Sequence, residues 1–129
     1  MMNSEKLILA SGSPRRLELL RRIGVRVEVS PPAVDETPDR KEPAESLVRR
    51  LALSKSLSVA DRFRGGVDRT VLAADTVVVM DGRILGKPAG REEAEEMLRT
   101  LSGAEHRVIT GMAACRTRSH AQAITARTT

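Results

Sequence analysis

Apolar residues fall along this chain in short, separated blocks whose period changes from one block to the next. Lys6 to Ala10 carries an uninterrupted Leu-Ile-Leu-Ala run, which predicts a short buried strand. From Pro14 onward Leu17, Leu20 and Ile23 recur at helical spacing on one side until Gly24 stops them. Val25 to Val29 alternates valine with Arg26 and Glu28, the period of a half-exposed strand, and Pro31-Pro32 ends it. From about Pro43 to Ser58 the spacing of Leu47, Val48, Leu51, Lys55 and Ser58 predicts an amphipathic helix, followed by a polar loop over Asp61 to Arg69. Val71 to Met80 is the most buried-looking stretch, interrupted by Asp75-Thr76. Asp81-Gly82 predicts a type I′ hairpin returning through Arg83-Ile84-Leu85 to Gly86-Lys87-Pro88. Ala94, Met97, Leu98 and Leu101 predict a helix over Glu92 to Leu101 with a core role, closed by Ser102-Gly103. His106 to Ala114 predicts another strand. In Arg116 to Thr129 only Ile124 is large and apolar, so that segment is either a strand without a partner or a frayed tail.

Strands alternating with helices make this an α/β chain; the sheet expected for it is a mixed, twisted central one flanked by helices. A length of 129 residues suits one domain with a core of its own. The expected division is a region 1–115 that holds the chemistry, and a segment 116–129 that is a basic tail or the start of a further strand.

Composition narrows the chemistry. A single cysteine, Cys115, makes no internal disulfide, and two histidines do not supply a zinc cluster, so any metal must be oxygen-ligated. No run of apolar residues is long enough to span a membrane, and Met1 to Lys6 leads into a strand without a signal-like apolar stretch; a cytoplasmic protein with no membrane partner is expected. The formal net charge of +5 draws three of its charges from Arg116, Arg118 and Arg127, with no acidic residue after Glu105. The rest of the chain is nearly balanced, which suits a binder of small polyanions as well as a nucleic-acid binder. With Phe63 as the only aromatic residue, platforms for base stacking are missing and nucleic acid is an unfavoured partner.

Three places carry candidate chemistry. The first is the junction of the opening strand with the first helix, Ser11-Gly12-Ser13-Pro14-Arg15-Arg16. Ser13 is a good N-cap, Pro14 suits the first helical position, and Gly12 lets a ligand approach the backbone. Two arginines in a first turn oppose the helix dipole, so a bound anion explains them better than helix stability does; solvated arginines on an ordinary capped helix are the alternative. The loop has neither the spacing of a Walker A motif nor the glycines of a dinucleotide fingerprint. The second place is Asp35-Glu36-Thr37-Pro38-Asp39, either solvated surface or, beside a phosphate site, the source of a ligand for a divalent cation through Glu36 or Asp35. The third is Asp75, an ionisable side chain inside an apolar strand, which needs a partner, a metal, or a bulge or strand end that solvates it. The hairpin brings Lys87 toward it, and Lys55 either snorkels or points its ammonium into a site.

Taken together, Ala10 to Arg16, the Asp35-Glu36 loop, Lys55, Ala73-Ala74-Asp75-Thr76 and Gly86-Lys87-Pro88 resemble, in the same order, the motifs of the Maf family of nucleoside triphosphate pyrophosphatases. The resemblance runs from about Leu7 to Ala114. It implies a Maf/ITPase-like fold and hydrolysis of a nucleoside triphosphate between the α- and β-phosphates with a divalent cation, Mg²⁺ or Mn²⁺. By position, Arg15, Arg16, Lys55 and Lys87 match phosphate-binding residues, and Ser11, Ser13 and Thr76 are expected to touch substrate with them. Asp75 matches the acceptor of the attacking water's proton, and Glu36 is expected to share the metal with it. The Arg15 and Thr76 combination is similar to the branch acting on dTTP and UTP. Family members continue further, so the chain is expected to lack the C-terminal part of the fold, with Ala123 to Thr129 as the start of the next strand. A shortened, non-catalytic nucleotide-binding or regulatory protein, a basic nucleic-acid-binding module, and a homodimer formed on unpaired sheet edges are the remaining expectations.

Overall fold

The computed structural model describes residues 6–39, 41–85, 90–103, 105–119 and 121–129. The opening apolar run is strand β1, Leu7–Leu9, and Ser13 caps helix α1, Pro14–Arg22. Gly24, at φ +84°, ends that helix with paired returns from Gly24 N–H to Arg21 O and from Val25 N–H to Leu20 O. Ile23 lies beyond the last helical residue and is 73% exposed. Strand β2, Val27–Val29, follows, and the acidic loop leads to helix α2, Ala44–Ala60. A single 3₁₀ turn, Asp61–Phe63, opens the predicted polar loop. Strand β3, Thr70–Met80, turns at Asp81-Gly82, both at positive φ as a type I′ turn requires, into β4, Arg83–Leu85. Helix α3 is Arg91–Leu101, and strands β5, Arg107–Arg116, and β6, Gln122–Thr128, close the chain.

The sheet runs β2-β1-β3-β5-β6, with β4 on β3 beside β1. Strands β1, β2 and β3 are parallel, and β4, β5 and β6 join antiparallel, so the sheet is mixed, as expected. β6 pairs with β5 from Gln122↔Cys115 to Thr128↔Ile109. The expectation of a partnerless strand or a frayed tail is therefore corrected: ladder hydrogen bonds to β5 supply what the few apolar residues do not.

The core lies between the sheet and α2. Leu47, Val48, Leu51, Ala52, Lys55, Ser56, Val59 and Ala60 form its buried stripe, two residues per turn, and face the odd-numbered residues of β3. One apolar cluster gathers Ile8, Ala10, Val59, Val71, Ala73 and Cys115, and a second gathers Val48, Val79 and Ile109. Each fully buried large side chain contributes about 1.5–3 kcal/mol. Between the two clusters the stripe is interrupted by Lys55, opposite Asp75.

α3 departs from expectation. None of its residues is buried and Leu98 is 68% exposed, so the predicted core role is corrected; its apolar face meets no described element closely enough to be covered. A 3.6 period states that a helix has an apolar side, not what covers it.

The β5–β6 turn is held by Asp68. Its Oδ1 accepts from the Arg118 N–H at 2.8 Å and the Ser119 N–H at 3.3 Å, and its Oδ2 accepts from Arg116 Nε at 3.2 Å. The Arg118 backbone bond, helped by Ser119 and Arg116 and opposed by desolvation, holds the carboxyl below its ordinary value of 3.8. A carboxyl lowered on folding stabilises the fold above its unfolded value and loses that contribution as pH falls through the folded one. Asp68→Asn is expected to lower the melting temperature at pH 7 and to narrow that gap below pH 3.8, as thermal melts across the pH range would measure.

Candidate active site

β3 has two neighbours on one edge. β1 pairs with it at Val71 and Leu72, and β4 pairs at Val78 to Met80, so Ala73 to Val77 face a gap between them. On the other edge β5 pairs continuously from Thr70 to Val79. Into this gap runs the loop that follows β1. Ala10 N–H still bonds Leu72 O at 2.9 Å, and Ser11, Gly12 and Ser13 then turn away into α1.

Arg16 fills the gap. Its Nη1 donates to Ala74 O at 3.1 Å and to Ser11 Oγ at 3.4 Å, and its Nη2 donates to Thr76 Oγ1 at 3.4 Å. Ser11 is buried, and its Oγ also accepts from Ser13 N–H at 3.0 Å. Ser13 Oγ in turn accepts from Arg16 N–H at 3.5 Å. The loop and the arginine thus hold each other, while Arg15 is exposed on the first turn of α1.

The acidic loop forms the facing wall and is fastened from α2 and the turn after it. Arg62 Nη1 donates to Ser30 Oγ at 2.8 Å and Pro31 O at 2.7 Å. At the other end Arg50 donates to both oxygens of Glu42 at 2.8 Å each and to Thr37 O at 3.2 Å. That fork holds the Glu42 carboxyl below its ordinary range. Between the fastenings Asp35 Oδ1 accepts from Thr37 N–H at 2.9 Å, a local turn, whereas Glu36 reaches inward.

Glu36 meets Lys55. The lysine ammonium lies 2.7 Å from Glu36 Oε1 and 2.9 Å from Asp75 Oδ1. Burial disfavours its charge, but the two carboxylates more than offset this, and its pKa rises above the ordinary value. Of the two readings of Lys55, the ammonium pointing inward is the one observed. Asp75 is 8% exposed within an unbroken strand, opposite Gly111, so neither a bulge nor a strand end relieves it; Lys55 does.

Ser11, Gly12, Ser13, Arg16, Glu36 and Lys55 line one cleft of about 410 Å³, with Ala10, Pro31, Pro32 and Val34. Asp75 adjoins it through Lys55, and Thr76 through Arg16. Arg15 is not in its lining, and Lys87 lies outside the described residues. The pattern did not point to Thr110, whose Oγ1 is 3.0 Å from Thr76 Oγ1. Only strand register could have found it, because Thr110 is the cross-strand partner of Thr76.

A pair of carboxylates on one ammonium also suits a divalent cation. Mg²⁺ takes one or two protein carboxylates and completes its shell with water and phosphate oxygens, and Glu36 with Asp75 supplies that number. Among the described residues no group of three or more His, Cys, Asp or Glu side chains is placed to hold a metal. None of their helices is long and apolar enough to cross a membrane.

Comparison with known proteins bears on this arrangement. The chain is 52% identical over 112 residues to a dTTP/UTP pyrophosphatase of Symbiobacterium thermophilum, which covers 87% of this chain and 56% of that protein. It is 50% identical over 119 residues to a dTTP/UTP pyrophosphatase of Methylococcus capsulatus, covering 92% and 58% respectively. The chain therefore spans little more than half the length of these curated relatives. The solved Staphylococcus aureus Ham1 protein shares the fold, with a TM-score of 0.55 at 16% identity over 96% of this chain and 69% of that one. The family model described as Maf-like protein matches residues 6–129, and the chain belongs to that family.

Proposed function

We propose that this chain carries the phosphate-gripping part of a nucleoside triphosphate pyrophosphatase acting on dTTP and UTP, to give the monophosphate and pyrophosphate. The observation that carries the reading is the shared cleft: a buried ammonium held by two carboxylates opens on the same space as a helix-start loop with a tethered guanidinium. Kinship with curated dTTP/UTP pyrophosphatases supports the substrate.

In the proposed reaction a water oxygen attacks the α-phosphorus, the bond to the α,β-bridging oxygen breaks, and pyrophosphate leaves with that electron pair. Asp75 takes the water's proton on a carboxylate oxygen. Lys55, Arg16, Arg15 and Lys87 are the cations assigned to the phosphates, and Ser11, Ser13 and Thr76 orient the substrate with them. A divalent cation, Mg²⁺ or Mn²⁺, held by Glu36 and Asp75, would neutralise phosphate charge and acidify a bound water. The raised pKa of Lys55 keeps it a cation across physiological pH, so it neutralises the carboxylates and remains a donor for an anion.

The cytoplasm is the compartment this substrate suits. A homodimer completes the proposal, formed where the exposed outer strand β6 offers its edge to a second copy. The experiment that tests the reaction is pyrophosphate release from dTTP, UTP, CTP and purine triphosphates with Mg²⁺ or Mn²⁺. Turnover of dTTP and UTP above the others is the expected result; purine preference would overturn the substrate assignment, and triphosphate binding without product would overturn catalysis.

A further inference from the structure

We propose that Thr110 is a positioning residue for the guanidinium of Arg16, acting through Thr76; the inference rests on reading the cleft as a triphosphate site. Among the described residues Arg16 places three hydrogen bonds on protein acceptors, at Ser11, Ala74 and Thr76. A guanidinium has five N–H donors, so Nε–H and one Nη2–H are left for an anion. Where those two point depends on the protein bonds. Ser11 is buried and Ala74 O belongs to the backbone of the central strand, so both are fixed by the fold. Thr76 is different, because it stands exposed on the sheet face opposite α2.

An exposed threonine is held in one rotamer only by a specific partner. Thr76 has one in Thr110, its register partner on β5, with the two oxygens 3.0 Å apart. Whichever hydroxyl donates, the Thr76 oxygen keeps a lone pair for Arg16 Nη2. The chain Thr110, Thr76, Arg16 therefore crosses from β5 through β3 to α1, and it sets the roll of the guanidinium plane. Thr110 is not part of the cleft lining.

The test uses Thr110→Val, which keeps shape and β-propensity while removing the hydroxyl, and Thr110→Ser, which keeps the hydroxyl. Calorimetric affinity for inorganic tripolyphosphate and the kcat and KM for dTTP are measured on the full chain, with melting temperature alongside. The expected result is that Thr110→Val weakens tripolyphosphate binding and raises KM by about 3–10-fold, the loss of one modest hydrogen bond. kcat and melting temperature stay near the parent, and Thr110→Ser restores the parental values. In an Arg16→Ala background Thr110→Val is expected to add no further loss. Parental affinity and KM in Thr110→Val would overturn the inference, as would an equal loss in the Arg16→Ala background. If the parent releases no pyrophosphate, the proposed reaction fails, and the tripolyphosphate affinities alone decide the role of Thr110; a parent that does not bind tripolyphosphate overturns both.

Discussion

Asp75→Asn is expected to lower kcat for dTTP by about 100- to 10,000-fold, the range associated with losing a positioned general base, while leaving the fold intact. Asparagine has nearly the same shape, and its carbonyl oxygen can accept the Lys55 bond that Asp75 Oδ1 accepts at 2.9 Å. Lys55 also keeps Glu36 at 2.7 Å, so the ammonium is not left without an anion. What asparagine cannot do is take a proton from water. The position argues for chemistry on energetic grounds too. A buried ion pair between two apolar clusters is a weak source of stability, and well-packed apolar residues often serve as well or better there. The measurement is single-turnover pyrophosphate release, with a thermal melt as the control for folding, in a form of the protein that turns over dTTP. A parental rate in Asp75→Asn would remove Asp75 as the base; a lost rate together with a collapsed melt would assign it a structural role instead.

The second large effect is expected at Gly111, the cross-strand neighbour of Asp75. A methyl group built on Gly111 would fall onto the Val48 carbonyl and lie 2.9 Å from the Arg49 nitrogen. These are backbone atoms of α2, and no side-chain rotation relieves the overlap. Gly111 is where the helix lies directly on β5, opposite Asp75 on β3, so lifting α2 there also lifts Lys55 from its carboxylate. Gly111→Ala is expected to destabilise by about 1–3 kcal/mol or more, as overpacking does. That corresponds to a melting temperature lower by roughly 5–15 °C for a chain of this size. An unchanged melt would mean that α2 does not approach the sheet this closely. Activity in the surviving folded fraction should fall as well, because the Lys55–Asp75 contact depends on the same approach.

Much of this architecture is local and was readable. Ser13, Pro14 and Gly24 bound α1 because a cap, a fixed φ and a left-handed turn each act within one turn of helix. Asp81-Gly82 announces its hairpin because a type I′ turn needs positive φ at both residues. Asp75 stood out because a carboxylate in an apolar run demands a partner. The identity of that partner was harder. Lys55 is 20 residues away on α2, and its place on the buried stripe was compatible with snorkelling. The residue pattern left Glu36 and Asp35 open and the family resemblance singled out Glu36; the loop's fastening by Arg50 and Arg62 is what turns that carboxylate inward and leaves Asp35 on a local turn.

The sequence by itself determined the order of strands and helices, the helix-start loop and the chemical kinds gathered for a polyanion, because period, capping and turn geometry are properties of a few neighbouring residues. Only the tertiary structure decided what those residues meet. It opened the gap between β1 and β4, brought Arg16 to Ala74, 58 residues away, and set the register that pairs Thr76 with Thr110. It also left α3 without a buried residue among the described ones and gave β6 its partner in β5. The physical reason is the same in each case: a hydrophobic period states which side of an element prefers burial, while the partner, the register and the approach distance come from packing between segments far apart in the chain.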